Sequence, residues 1–177
     1  LGTVPAAASA NTILLYEDNA LGTAGDALDL LGLSYTTSSS ASFVSDVSSG
    51  GYDLLVLDMP STLPSGSWEA AIASHIAGGG MAIMGFWSFE NRTTLETAFQ
   101  CASTADISTP QDVYAWSPSH PVFTTPYAVP STLTWTRNNW SDDGDLLSTS
   151  STATAIAGYS TSSSSSSGAI VVGNSDR

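Results

Sequence analysis

The stretch Gly78-Gly79-Gly80-Met81-Ala82-Ile83-Met84-Gly85-Phe86-Trp87-Ser88-Phe89-Glu90 decides how the chain is read. Three glycines stop a preceding helix, because glycine enters left-handed cap conformations without steric cost. Residues 81–86 form an apolar run without alternation, the pattern of a strand covered on both faces. Trp87, Ser88 and Glu90 follow at its carboxyl end, where an open α/β sheet places its ligand crevice. The stretch therefore predicts a helix end, a buried central strand and a crevice.

Upstream the same alternation recurs. Residues 12–16 are an apolar strand that runs into Glu17 and Asp18. Residues 23–33 form a helix with Ala24, Ala27, Leu28 and Leu31 at helical spacing, stopped by Gly32. A short strand over 34–37 and a weak helix over 40–47, with Phe43, Val44 and Val47 on one face, come next. Residues 53–58 are a third strand that Pro60 blocks from continuing. Ser67 is expected to cap a helix through Trp68, Ala71, Ile72 and Ile76, and another helix is expected over 93–101. Strands alternating with helices imply parallel pairing, right-handed crossovers and helices on both faces. After Cys101 the rhythm breaks. Pro110, Pro118, Pro121, Pro126 and Pro130 fill an irregular, Pro- and Trp-rich portion, with later strands over 154–159 and 169–172.

The expectation is an α/β, three-layer flavodoxin-like fold with a mostly parallel central sheet. Residues 1–11 read as an N-terminal linker or arm, whose small residues are like the end of a secretion signal. Residues 12–177 read as one domain.

Composition narrows the partners. Only 11% of the 177 residues are charged, the net charge is -13, and the basic residues are Arg92, Arg137 and Arg177, with no lysine. Nucleic acid is excluded as a partner, since phosphate binding needs clustered basic side chains. The surface must be built mostly from Ser, Thr, Asn and Gly, which suits an extracellular or cell-surface protein. Cys101 is the only cysteine, so neither an internal disulfide nor a thiolate-rich metal site can form. No apolar run reaches the length of a membrane span.

The glycine turn, the strand and Trp87-Ser88, with His120-Pro121-Val122-Phe123 and Asn139-Trp140-Ser141-Asp142-Asp143-Gly144-Asp145, resemble the class I glutamine amidotransferase-like superfamily, and more closely its secreted relatives without the chemistry. The resemblance spans residues 12–172. It implies a flavodoxin-like fold and, in active members, a cysteine in a Gly-x-Cys-x-Gly elbow. Here Gly85-Phe86-Trp87-Ser88-Phe89 puts Trp87 at the nucleophile position and Phe89 at the second glycine. The family's His-Pro-Glu motif finds His120-Pro121-Val122, without the carboxylate. The resemblance thus implies a non-catalytic member, and no motif asks for a cofactor.

Other chemistries compete with that reading. Ser88 as nucleophile, His120 as base and Asp58 or Glu90 as orienter would make a secreted hydrolase, although Phe86 and Glu90 stand where the usual serine elbow has small residues. His75 sits in the last turn of a helix, where the dipole favours a cation. Cys101 lacks a basic neighbour that would lower its pKa, so it reads as inert and buried. Glu17, Asp18 and Asp58 end strands at one crevice, with Trp87, Ser88 and Glu90; they suit either a cation or polar ligand or the anchoring of helix ends and loops. Asp142, Asp143 and Asp145 resemble part of a calcium loop without its distal glutamate, or else a plain acidic turn.

Trp116, Trp135, Trp140, Tyr114 and Tyr127 fit a second small core or a sugar-stacking face, as in a carbohydrate-binding module. Asn91 and Asn139 lie in Asn-x-Ser/Thr sequons, and Ser162, Ser163 and Ser164 open a serine run suited to O-linked sugar. Finally, residues 173–176 form a polar turn with only Arg177 beyond, so the last elements of the fold are expected to be lacking. The strand before that turn would then be an open edge, where another polypeptide or a second copy pairs and self-assembles. The leading function is an extracellular structural or interaction module, a subunit of a surface assembly or filament.

Overall fold

The computed structural model describes residues 12–18, 23–86, 88–109, 111–134 and 144–173. Its first half alternates β1 (Ile13–Glu17), α1 (Ala24–Leu30), β2 (Tyr35–Ser38), α2 (Phe43–Ser49), β3 (Leu54–Met59), α3 (Trp68–Ala77), β4 (Met81–Phe86) and α4 (Thr93–Phe99). The four strands pair in parallel in the order β2-β1-β3-β4. Alternate residues of β1 point to opposite faces. Ile13 and Leu15 pack with Val56 against Leu28 of α1. Leu14 and Tyr16 pack with Leu55 and Leu57 in a larger core that takes Phe43 and Val47 of α2, Ile72 of α3 and Leu95 of α4. None of the described helices is long and apolar enough to cross a membrane.

The glycine run ends α3 by a paired cap. Gly79, at φ +95, donates its N–H to the Ile76 carbonyl at 3.0 Å, and Gly80 donates to the His75 carbonyl at 3.0 Å. These are the two bonds of a Schellman motif, which absorb carbonyls that a helix end leaves unpaired. The His75 ring lies where a Gly80 side chain would stand, and its Nε2–H donates to the Met81 carbonyl at 3.1 Å. Ser67 does occupy the N-cap of α3, but its side chain makes no capping bond.

β4 is not the central strand that its apolar run suggests. It is an edge of the described parallel sheet. Ala82, Met84 and Phe86 face the larger core, whereas Ile83 is 61% exposed on the other face. An apolar run is compatible with two-sided burial but does not supply the covering helix; α1 packs over β1 and β3.

The second half contains β5 (Cys101–Ile107), β6 (Val113–Ala115), α5 (Pro121–Thr124), β7 (Thr132–Leu133), β8 (Gly144–Thr149), β9 (Ala153–Gly158) and β10 (Gly168–Gly173). They form an antiparallel sheet in the order β5-β8-β10-β9-β6-β7. Among the described residues, the expected single, mostly parallel sheet is therefore replaced by a parallel sheet of four strands and an antiparallel one of six. α4 stops at Phe99 rather than reaching Cys101, because Gln100 turns left-handed at φ 59 and Cys101 opens β5. Val113, Phe123, Ile156 and Ala157 make a separate small core, while Leu147 and Val171 pack against the larger one. The last strand is also not an open edge: β10 lies between β9 and β8, joining the latter at Gly168 opposite Leu147. The assembly edge expected there is thus already occupied by the chain's own strands.

Phe43 is fully buried, so Phe43→Ala should cost about 3–5 kcal/mol of stability in urea unfolding. Ile83→Ala should stay within about 0.5 kcal/mol of the parent, as expected for an exposed edge residue. A large loss at Ile83 would return β4 to the interior.

Candidate functional site

At the carboxyl ends of the parallel strands the acidic side chains are engaged by backbone. The carboxylate of Asp58, on β3, accepts the amide protons of Thr23 at 2.9 Å and Ala24 at 3.3 Å. Glu17 Oε1, on β1, accepts the Gly25 N–H at 2.9 Å. Gly25 permits this approach, since a Cβ there would lie 2.8 Å from the other oxygen of Glu17. The first amides of a helix have no intrahelical acceptor and attract anions; at α1 the chain's own carboxylates meet them. Asp18 donates its N–H to the Asp58 carbonyl at 2.9 Å, and its carboxylate takes the Thr62 N–H at 2.6 Å and the Ser61 hydroxyl. Of the two roles open to Glu17, Asp18 and Asp58, these contacts are those of anchors.

The nucleophile and base of the rival hydrolase, Ser88 and His120, have different local partners. The Ser88 hydroxyl donates to Glu90 Oε1 at 3.3 Å. His120 caps α5, its Nδ1 accepting the Val122 N–H at 3.3 Å. Asp58 holds α1. Trp87, Asn139, Trp135, Trp140, Asp142 and Asp143 lie outside the described residues. Cys101 is buried at the start of β5, and burial, followed by the negative charges of Glu96 and Asp145, pushes its thiol up to about 11. At neutral pH such a thiol is protonated and a poor nucleophile. Trp116 is half-buried, donates its indole N–H to the Ser160 carbonyl at 2.8 Å and lies against Gly158, while Tyr114 is partly buried on β6 and Tyr127 is 62% exposed.

A second group of carboxylates gathers where the loop after β4 meets the antiparallel sheet. Glu90, Asp106 and Asp145 each place a carboxylate oxygen within 4.8 Å of the others. Asp106 on β5 and Asp145 on β8 are direct cross-strand partners. Asp145 is only 7% exposed, and its Oδ2 accepts the Phe89 N–H at 3.1 Å. Burial raises the Asp145 carboxyl above its usual range, and the charges of Glu90 and Asp106 add to the rise. The Ser103 hydroxyl and the Phe89 amide oppose it, yet Oδ1 is left without a formed hydrogen bond.

Glu90 and Asp145 were each visible in the sequence, but in separate candidate groups. Asp106 carried no signal of its own, because β5 reads Cys-Ala-Ser-Thr-Ala-Asp-Ile and lacks an apolar alternation. Only the pairing of β5 with β8 brings the three together.

A ThuA-like protein from Bacteroides uniformis has a similar solved structure, with a TM-score of 0.56 and 12% identity over 89% of this chain and 72% of that one. That protein has a class I glutamine amidotransferase-like fold. The likeness is one of fold. No family model matches the chain, and no curated protein matches it in sequence.

Asp58→Ala releases two α1 amides at once and should cost about 1–2 kcal/mol in chemical denaturation. Asp58→Asn, which keeps an acceptor oxygen, should lose less than the alanine variant. Equal stability of Asp58→Ala and the parent would contradict the anchoring role.

Proposed function

We propose that this chain is an extracellular structural or interaction module, built on a glutamine amidotransferase-like scaffold and without catalysis of its own. One observation carries the reading. The N-terminal amides of α1, which follow the first strand and face the usual ligand position of an open α/β sheet, are capped by Asp58 and Glu17. A substrate anion at that position would have to displace two carboxylates of the protein. The partner of Ser88 is a carboxylate rather than an imidazole, and the buried Cys101 thiol is protonated, which agrees with a scaffold lacking a nucleophile.

Extracellular placement rests on the absence of lysine, the hydroxyl-rich composition and the low charge content. Asn91, at the head of its sequon, and Ser162, Ser163 and Ser164 are exposed, as sugar attachment requires. Membership of a surface assembly is part of the same proposal, through a face other than the occupied β10 edge.

The test uses natively purified, full-length material on ester, amide and glycoside substrates, beside Ser88→Ala. The expected result is no turnover above the Ser88→Ala background, with an intact mass above the 18.2 kDa of the bare chain. Turnover that Ser88→Ala abolishes would overturn the non-catalytic reading. A cytoplasmic location, with the bare mass, would overturn the extracellular one.

A further inference from the structure

We propose that Glu90, Asp106 and Asp145 bind one calcium ion, which ties the loop after β4 to strands β5 and β8. The donors are all carboxylate oxygens, so the site selects a hard cation over zinc or copper. The three oxygens lie within 4.8 Å of one another, close enough to share one ion. A set of three side-chain carboxylates suits calcium's flexible shell, whereas magnesium demands a near-ideal octahedron and dehydrates reluctantly.

Two further observations ask for a positive charge there. Asp106 and Asp145 stand directly opposite in an antiparallel ladder, where like charges destabilise the pairing. The chain has no lysine, and Arg92, the one arginine among the described residues, pairs with Glu69 at 2.8 Å and lies over the rings of Trp68 and Phe86. Independently of the charge count, Asp145 is more than nine-tenths buried and its Oδ1 accepts no hydrogen bond among the described residues. Such an oxygen costs free energy unless something meets it. The Phe89 amide fixes Oδ2 and thereby orients the carboxylate, while the Ser88 hydroxyl does the same for Glu90. A cation coordinated by Oδ1 satisfies the orphaned atom and removes the cross-strand repulsion together. Water fills the remaining coordination positions, as is usual for calcium with few protein ligands.

The competing occupant is a proton held among the three carboxyls. Full-length protein stripped with a chelator, dialysed and titrated with calcium chloride at pH 7 separates the two, with the thermal midpoint and calorimetric heat as readouts. The expected result is a saturable rise in midpoint with one calcium bound per chain, and a much smaller rise with magnesium. Asp106→Asn, at an exposed position that should not disturb folding, is expected to weaken calcium binding by about tenfold or more. Asp145→Asn is expected to abolish the calcium-dependent shift. The proposal is overturned if calcium leaves the parent's midpoint unchanged, which is the proton's signature. It is equally overturned if the calcium shift persists undiminished in both Asp106→Asn and Glu90→Gln, because the ion would then lie elsewhere.

Discussion

Sixteen acidic side chains share this chain with three basic ones, and the means of holding those carboxylates constrains everything else. Ion pairs cannot do it, for want of partners. Among the described residues Glu69 has the arginine. Several of the others turn to backbone amides and hydroxyls. Asp53 takes the Thr12 amide and hydroxyl, tying the start of β1 to the start of β3. Asp46 takes the Ser38 hydroxyl and so fastens α2 to the end of β2. These bonds to the ionised form hold both carboxyls below the usual range. Hydrogen bonds to a charged acceptor are stronger than neutral ones, so a chain poor in cations can still use its acidic residues as fasteners.

The same device closes the functional end of the sheet. In an open α/β fold the loops after the strands are where ligands bind, because helix amides and strand ends converge there. Here Glu17, Asp18 and Asp58 converge on that position from the protein's own side, holding α1 and residues 61–62 in place. The chain shares a fold with a ThuA-like protein, and a fold by itself does not carry a function. Asp145 marks the limit of the device. One of its oxygens accepts an amide proton, and the other lies among two further carboxylates with no hydrogen bond formed among the described residues.

The first half of the fold was legible because its strands are apolar and its helices periodic. Leu14 and Leu55 are buried as their strand patterns imply, and Gly79 does cap α3 in a positive-φ conformation. The exposure of Ile83 was not legible, since hydrophobicity does not say whether a neighbour will cover a strand. Strands β5 and β8 were missed for the opposite reason. Their residues are small and hydroxylated, and their stability comes from pairing with each other over residues far apart in sequence. The candidate site divided in the same way. Asp58 and Glu17 were recognisable as strand-end carboxylates, with anchor and ligand roles both open, whereas Asp106 acquired meaning only through the β5–β8 register.

Whether the strand-end carboxylates anchor α1 and residues 61–62 or line an open ligand site is read most plainly by native-state amide hydrogen exchange of the unmodified chain, resolved by residue. As anchors, they make the amides of Thr23, Ala24, Gly25 and Thr62 exchange far more slowly than those of the exposed serine loop over residues 161–166. Exchange of these four amides as fast as that loop, in a chain whose β1 and β3 amides remain protected, would contradict the anchoring.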